Sequence, residues 1–319
     1  VSEVRPLRIH DLPFAYRLAG QGVSFDSQVS LTIGDDGLRQ ALLTSTGRLQ
    51  VYVLRRAQGG ALGQLHFLPG AQHARLAYVA PAPAAGADDT TWLHLLDGMT
   101  VMAGQRGAVS ILAEVNEDHA AYSTLRLAGF ATYVRQQIWK RPASPAGAVK
   151  PSLRMMRPDE LPAMSTLYGS LVPGLIKHIE PPPTVADDIY LLRGRRGLCG
   201  MALVYEGQHA ALIEPFLAPD ASSRDGAFLG DLLALLQGER RPLYCRIRDY
   251  MGCLTSTLEA AGFVQQEAQV AMFRYTAARI AHQGYKLMET VEGSVPQPTS
   301  IVEDDEAPAT LSPIIKHVR

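Results

Sequence analysis

Ala121-Tyr122-Ser123-Thr124-Leu125-Arg126-Leu127-Ala128-Gly129-Phe130 is answered later in the chain by Leu254-Thr255-Ser256-Thr257-Leu258-Glu259-Ala260-Ala261-Gly262-Phe263. Ala121, Leu125, Ala128, Gly129 and Phe130 recur in the spacing of Leu254, Leu258, Ala261, Gly262 and Phe263. Apolar residues at i, i+4 and i+7 turn one stripe of a helix toward a core, and the glycine suits the left-handed residue that ends a helix. A strand is expected after each: Thr132–Lys140 and Gln269–Tyr275 carry the β-branched, aromatic and alternating residues for it. A second pair lies upstream. Leu7-Arg8-Ile9-His10-Asp11-Leu12-Pro13 matches Met156-Arg157-Pro158-Asp159-Glu160-Leu161-Pro162, each a strand end running into an acidic helix start where Asp11 or Asp159 is placed to cap.

Between these landmarks the two halves read alike. Leu49–Arg55, Gly60–Phe67 and Ala74–Ala80 are strands, Thr90–Gly104 a helix and Val109–Val115 a strand. In the second half Ile189–Arg193, Leu198–Tyr205 and His209–Leu217 are strands, Ala227–Leu236 a helix and Leu243–Ile247 a strand. The class is α/β, with a mixed sheet in each half. A chain of 319 residues suits two domains. They are placed at 1–141 and 153–281, joined by a Pro-, Ala- and Gly-rich linker at 142–152. Residues 282–319, with several prolines and the run Glu303-Asp304-Asp305-Glu306, read as an acidic tail that orders against a partner or the body.

The apolar fraction of 47% supports packed cores. A formal net charge of -1 supplies no positive field for nucleic acid or an anionic membrane, so neither is expected as a partner. No apolar stretch reads as a signal peptide or a membrane span. Cys199, Cys245 and Cys253, odd in number and widely spaced, fit a reducing cytoplasm, and neither they nor the nine scattered histidines form a metal pattern. Arg193-Gly194-Arg195-Arg196-Gly197 reads as a hairpin turn, and Arg246-Ile247-Arg248 is too dispersed for a nucleic-acid surface.

The order of elements, with strands that end in Val79-Ala80-Pro81 or Leu217-Ala218-Pro219 and helices that close on Gly-Phe, resembles the GNAT acyltransferase family, over residues 4–140 and 153–275. The resemblance implies two tandem GNAT-like domains and transfer of an acetyl or other acyl group from acyl-CoA to an amine acceptor, a small molecule or a peptide. In that family a glycine-rich loop after the fourth strand holds the acyl-CoA pyrophosphate on free backbone N–H groups at a helix N-terminus. The first loop, 81–89, carries prolines and two carboxylates and suits an anion poorly. The second keeps Ser222, Ser223, Arg224 and Gly226 before Ala227 and Phe228, and with Leu217 at the strand end it is the expected acyl-CoA site. The family's thiol-protonating Tyr is replaced by Leu125 and Leu258, leaving Tyr122 or Tyr250 as substitutes. Glu214, which interrupts an apolar strand before Pro215, is the candidate base if it faces a cleft with a raised pKa, and a solvated edge residue if it faces outward. Glu114, at a strand end in the first half, has the same standing, His119 reads as a surface or capping residue, and Gly20–Thr32 and Gly169–Val185 are the segments expected to meet the acceptor. The competing function is a non-catalytic scaffold or small-molecule sensor, which accounts for the lost Tyr and the damaged loops.

Overall fold

In the first half the chain runs β1 (Arg5–Pro6), a 3-10 turn (Ile9–Asp11), α1 (Leu12–Leu18), β2 (Val23–Ser24), α2 (Ser27–Thr32), β3 (Leu49–Arg56), β4 (Gly59–Phe67) and β5 (His73–Ala80). α3 (Thr90–Gln105), β6 (Ser110–Val115), α4 (Ala120–Leu127) and β7 (Ala131–Arg141) follow. The second half repeats the order with β8 (Arg154–Met155), a 3-10 turn (Pro158–Glu160), α5 (Leu161–Leu171), α6 (Gly174–Ile179), β9 (Asp188–Gly194), β10 (Gly197–Glu206) and β11 (Ala211–Leu217). It closes with α7 (Asp225–Leu235), β12 (Leu243–Arg248), a 3-10 segment (Asp249–Leu254), α8 (Thr255–Ala260) and β13 (Val264–Tyr275). The computed structural model describes residues 3–34, 48–56, 59–83, 88–143, 153–183, 188–194, 197–219, 225–236 and 241–276. The expected tail lies outside them. Among the described residues no helix is long and apolar enough to cross a membrane.

The glycines of both Gly-Phe motifs take the left-handed conformation expected of them, Gly129 at φ 83° and Gly262 at φ 81°. The acidic caps differ in one position. Asp11 accepts from the Arg8 N–H at 3.0 Å and pairs with Arg5, while in the second half the buried carboxylate is Glu160, which accepts from the Arg157 N–H and pairs with Arg154 and Arg193. Asp159 stays exposed beside Arg157. Glu, one methylene longer, reaches the same turn with one more cation. The Arg193 hairpin joins β9 to β10, with residues 195–196 outside the described set.

The strands form one sheet in the order β1-β3-β4-β5-β6-β13-β7-β12-β11-β10-β9-β8, with β2 alongside β5. This order reads the same from either end once each strand is exchanged for its counterpart, with one feature that neither half shows alone. The last strand of each half crosses over: β7 pairs with β12, β13 pairs with β6, and the two pair antiparallel with each other. Gln136 stands opposite Gln269 in that central pair, and the Gln136 amide donates to the Gln269 side-chain oxygen at 2.9 Å. Both lie six residues beyond the Phe of a Gly-Phe motif, so the pseudo-twofold axis passes between them. Val1–Arg279 accordingly form one unit by internal contact.

Two cores pack under the sequence-matched helices. Leu95, Leu96 and Met99 of α3 join Leu125 and Phe130, and Leu229 and Leu232 of α7 join Leu258 and Phe263. Ile111, Ala113 and Val115 of β6 and Leu243, Cys245 and Ile247 of β12 point into these cores. The alternation of a strand therefore turns Glu114, Arg246 and Arg248 to the other side of the sheet, beneath α1, α2, α5 and α6.

Candidate functional site

Each half contains a pair of adjacent parallel strands that stay together only at their beginnings. β5 pairs with β6 over His73–Arg75 and Ser110–Leu112, and β11 with β12 over Ala211–Ile213 and Leu243–Cys245. Beyond these residues the ladders stop while the strands continue, so backbone groups are left that need other partners.

In the first half the chain itself supplies them. Val23 and Ser24 pair with Val79 and Tyr78 of β5, the Phe25 N–H donates to the Ala77 carbonyl at 3.0 Å, and the Glu114 N–H donates to the Phe25 carbonyl at 2.8 Å. Residues 23–25 thus bridge β5 to β6. Phe25 is 1% exposed and meets Trp92 edge to face at 5.9 Å. Gly22 admits the chain: a Cβ there would lie 2.3 Å from the Val79 carbonyl oxygen.

In the second half no segment among the described residues takes that place. The Ala218 N–H donates to the Cys199 carbonyl, so by alternation residues 215 and 217 turn their backbone groups away from β10, toward the opening between β11 and β12. Pro215 offers only a carbonyl there. Leu217 offers both an N–H and a carbonyl, and its side chain packs in the core with Phe228.

Beneath this opening lies a buried network of charges drawn from both halves. Arg246, 1% exposed, donates from its two terminal nitrogens to Glu114 and Glu214, each at 2.7 Å. Arg248 donates to Glu214 at 3.4 Å and to both oxygens of Glu180 at 3.1 and 3.2 Å. Glu180 also accepts from the Tyr133 hydroxyl, and Glu114 accepts from the Ser27 N–H at 2.9 Å. Asp26 caps α2 through the Gln28 and Val29 N–H groups and accepts from or pairs with His66 at 3.2 Å. Glu114 sits opposite Ala271 and Arg246 opposite Ile138, each two residues from the axial glutamines, so the two are symmetry-equivalent positions that carry opposite charges.

Glu214 faces a cavity, as one of the two expectations has it, but without the raised pKa. It is buried rather than solvated, and its pKa is lowered rather than raised: burial opposes ionisation, and the facing charges of Arg246 and then Arg248 outweigh it. Glu180 is held at about 2 in the same way, against burial, by Arg248 and then Arg75. Tyr250, just past β12, packs between the two second-half cores, and burial pushes its phenol pKa well up. Tyr122 packs against the first-half core. His119 caps α4, its Nδ1 accepting from the Ala121 N–H at 3.1 Å. Gly226 and Ala227 open α7 at the surface and Phe228 is buried, whereas Ser222, Ser223 and Arg224 lie outside the described residues. Asp26, Arg75 and His66 were not singled out from the sequence, nor was the joint role of Arg246 and Arg248. The one signal in the sequence is that Arg75, Glu114, Glu214, Arg246 and Arg248 interrupt otherwise apolar strands.

A cavity of about 290 Å³ opens on this network between the β4–β5 turn and the second half. Its wall includes His73, Arg75, Glu180, Glu214, Tyr205 and Phe216. Residues 180–183 of the expected acceptor segment line it too.

The mixed sheet with a split between two parallel strands in each half has the GNAT fold. Among solved structures, the chain is similar to a GCN5-related N-acetyltransferase from Sphaerobacter thermophilus, with a TM-score of 0.53 and 12% identity over 86% of this chain and 95% of that one. A tandem GNAT protein from the clavulanic acid biosynthesis pathway gives 0.48 at 13% identity, over 86% and 99% of the two chains. A GNAT-family acetyltransferase from Colwellia psychrerythraea gives 0.44 at 12% identity, again over 86% and 99%. No family model and no curated protein matches the sequence.

Proposed function

We propose that the protein is an N-acyltransferase that binds acetyl-CoA or another acyl-CoA in the second half, along Leu217 and the loop 222–228, and passes the acyl group to an amine. The observation that carries this reading is the contrast between the two splits: Val23–Phe25 fills the first, and no described segment fills the second. An extended donor there could pair with the N–H and carbonyl of Leu217 as a strand would, and the Leu217 N–H could polarise the thioester carbonyl. Arg224 and the start of α7 would meet the pyrophosphate.

The chemistry is direct attack by the unprotonated amine on the thioester carbon, with the thiolate as leaving group. Tyr250, held protonated by burial, is the proposed relay: its hydroxyl gives a proton to the leaving thiolate as it takes up the one shed by the attacking nitrogen. Glu214, already ionised and held by two arginines, has an electrostatic part: it fixes Arg246 and Arg248 under the split. Calorimetric titration with acetyl-CoA tests the proposal, with one molecule bound per chain as the expected result. Arg224→Glu should weaken binding by about tenfold at low salt and by less at high salt, because the reversed charge is screened. Absence of binding at millimolar ligand, or an unchanged affinity in the variant, would remove the site and favour the non-catalytic reading.

A further inference from the structure

Arg75 is buried, 8% exposed, yet its guanidinium makes no hydrogen bond among the described residues. Its nearest carboxylate oxygens, on Asp26 and Glu114, stand at 3.6 and 3.7 Å, beyond hydrogen-bond reach, and its Nε is buried without a partner. Arginine carries five donors in a planar fork suited to a carboxylate, and leaving them unmet in the interior is costly. Arg75 lines the cavity. The same wall presents Glu180 and Glu214, whose carboxylates have lone pairs to spare after their bonds to Arg246, Arg248 and Tyr133. Of the charged side chains that line the cavity, two are carboxylates (Glu180 and Glu214) and one is a guanidinium (Arg75), an excess that favours an ammonium. Phe216 and the ring of Tyr205 add aromatic surface to the same lining.

We propose that this cavity binds a small molecule bearing both a carboxylate and a primary amine, of the amino-acid class, with the carboxylate on Arg75 and the ammonium toward Glu180 and Glu214. A volume of about 290 Å³ stands at the lower end of ligand pockets, roughly 300–1,000 Å³, and suits one such molecule rather than a folded protein partner. Calling the ligand the acyl acceptor rests on the acyltransferase reading; its binding does not.

The test is calorimetry on the full chain without acyl-CoA, with each proteinogenic L-amino acid in turn and then the decarboxylated amine of any that binds. At least one amino acid should bind, and its decarboxylated amine should bind about tenfold or more weakly. Arg75→Met should abolish that preference, so that the amino acid binds no more tightly than its decarboxylated amine. Should that variant fail to fold, Ala71→Phe narrows the cavity without touching the charges and should weaken the amino acid by a similar factor. Amine and amino acid binding equally, or no amino acid binding at millimolar concentration, overturns the proposal. Acetyl-CoA binding with no amino acid bound sinks this inference alone, whereas amino-acid binding without acetyl-CoA sinks only the acyltransferase reading.

Discussion

The first half closes its split with Val23–Phe25 and a buried aromatic pair, and the second leaves the ladder ended at Ile213–Cys245 with Pro215 and Leu217 turned into the gap. The strands around the two gaps are otherwise laid out alike. What distinguishes them is a few residues before α2: Gly22 lets the chain approach β5, and Asp26 caps the helix that anchors the plug. The second half carries α6 at the corresponding stage and sends Glu180 into the charge network instead. Duplication thus supplies two equivalent positions, and small changes in one connection decide which becomes packing and which stays accessible. The axis shows the same divergence in charge. Two identical halves would set like against like, whereas Glu114 and Arg246 attract.

The largest effect is expected on separating the halves. A fragment of residues 1–141 loses β13 from beside β6 and β12 from beside β7, and should show no cooperative thermal transition by circular dichroism. A melt like that of the whole chain would mean that the exchange of strands is dispensable. Arg246→Met should cost about 3–5 kcal/mol in urea unfolding, because Glu114 and Glu214 each lose their shortest charge-assisted bond and keep only Arg75 at 3.7 Å and Arg248 at 3.4 Å. Glu114→Gln should cost less, since Arg246 keeps Glu214; equal costs would show that the link across the axis, not the buried charge, dominates.

Phe25→Ala probes the plug. It should lower stability by about 3–5 kcal/mol through the cavity it leaves beside Trp92, with acetyl-CoA still bound at one molecule per chain. A second molecule bound would show that the plug alone separates the halves. The smallest effect is on pH dependence. Burial first, and then Arg75, lowers the His73 pKa to about 4, against about 6.5 when unfolded. The unfolded chain then binds more protons between these values, so stability is full above about pH 6.5 and declines as pH falls toward 4. His73→Gln should flatten the melting temperature over that window, and an unaltered slope would assign the dependence elsewhere.

The sequence marks the helices and strands well because their patterns are local. Every strand expected around α3 and α7 is present within a few residues, and both Gly-Phe turns have the backbone their glycines suggest. β13 begins earlier than its composition shows, because Val264-Gln265-Gln266-Glu267 is exposed and lacks alternation. The exchange of β7 and β13 is not legible, since both strands carry similar patterns and either could pair in either half. Its only trace is the opposite charge of Glu114 and Arg246. Glu214 misled for a related reason: a lone acid in an apolar strand has a meaning set by what faces it, and the arginines that face it lie on another strand.

The exchange also sets an order of events in the living cell. Thr276, at the end of β13, donates to the carbonyl of Ala108 across a sequence separation of 168 residues. A chain emerging from the ribosome exposes β6 long before the strand that covers its edge exists, and the first half must wait for the last stretch of the second. Such long-range pairing slows folding and leaves an open strand edge during synthesis, an edge on which chaperones, or a neighbouring nascent chain, can act.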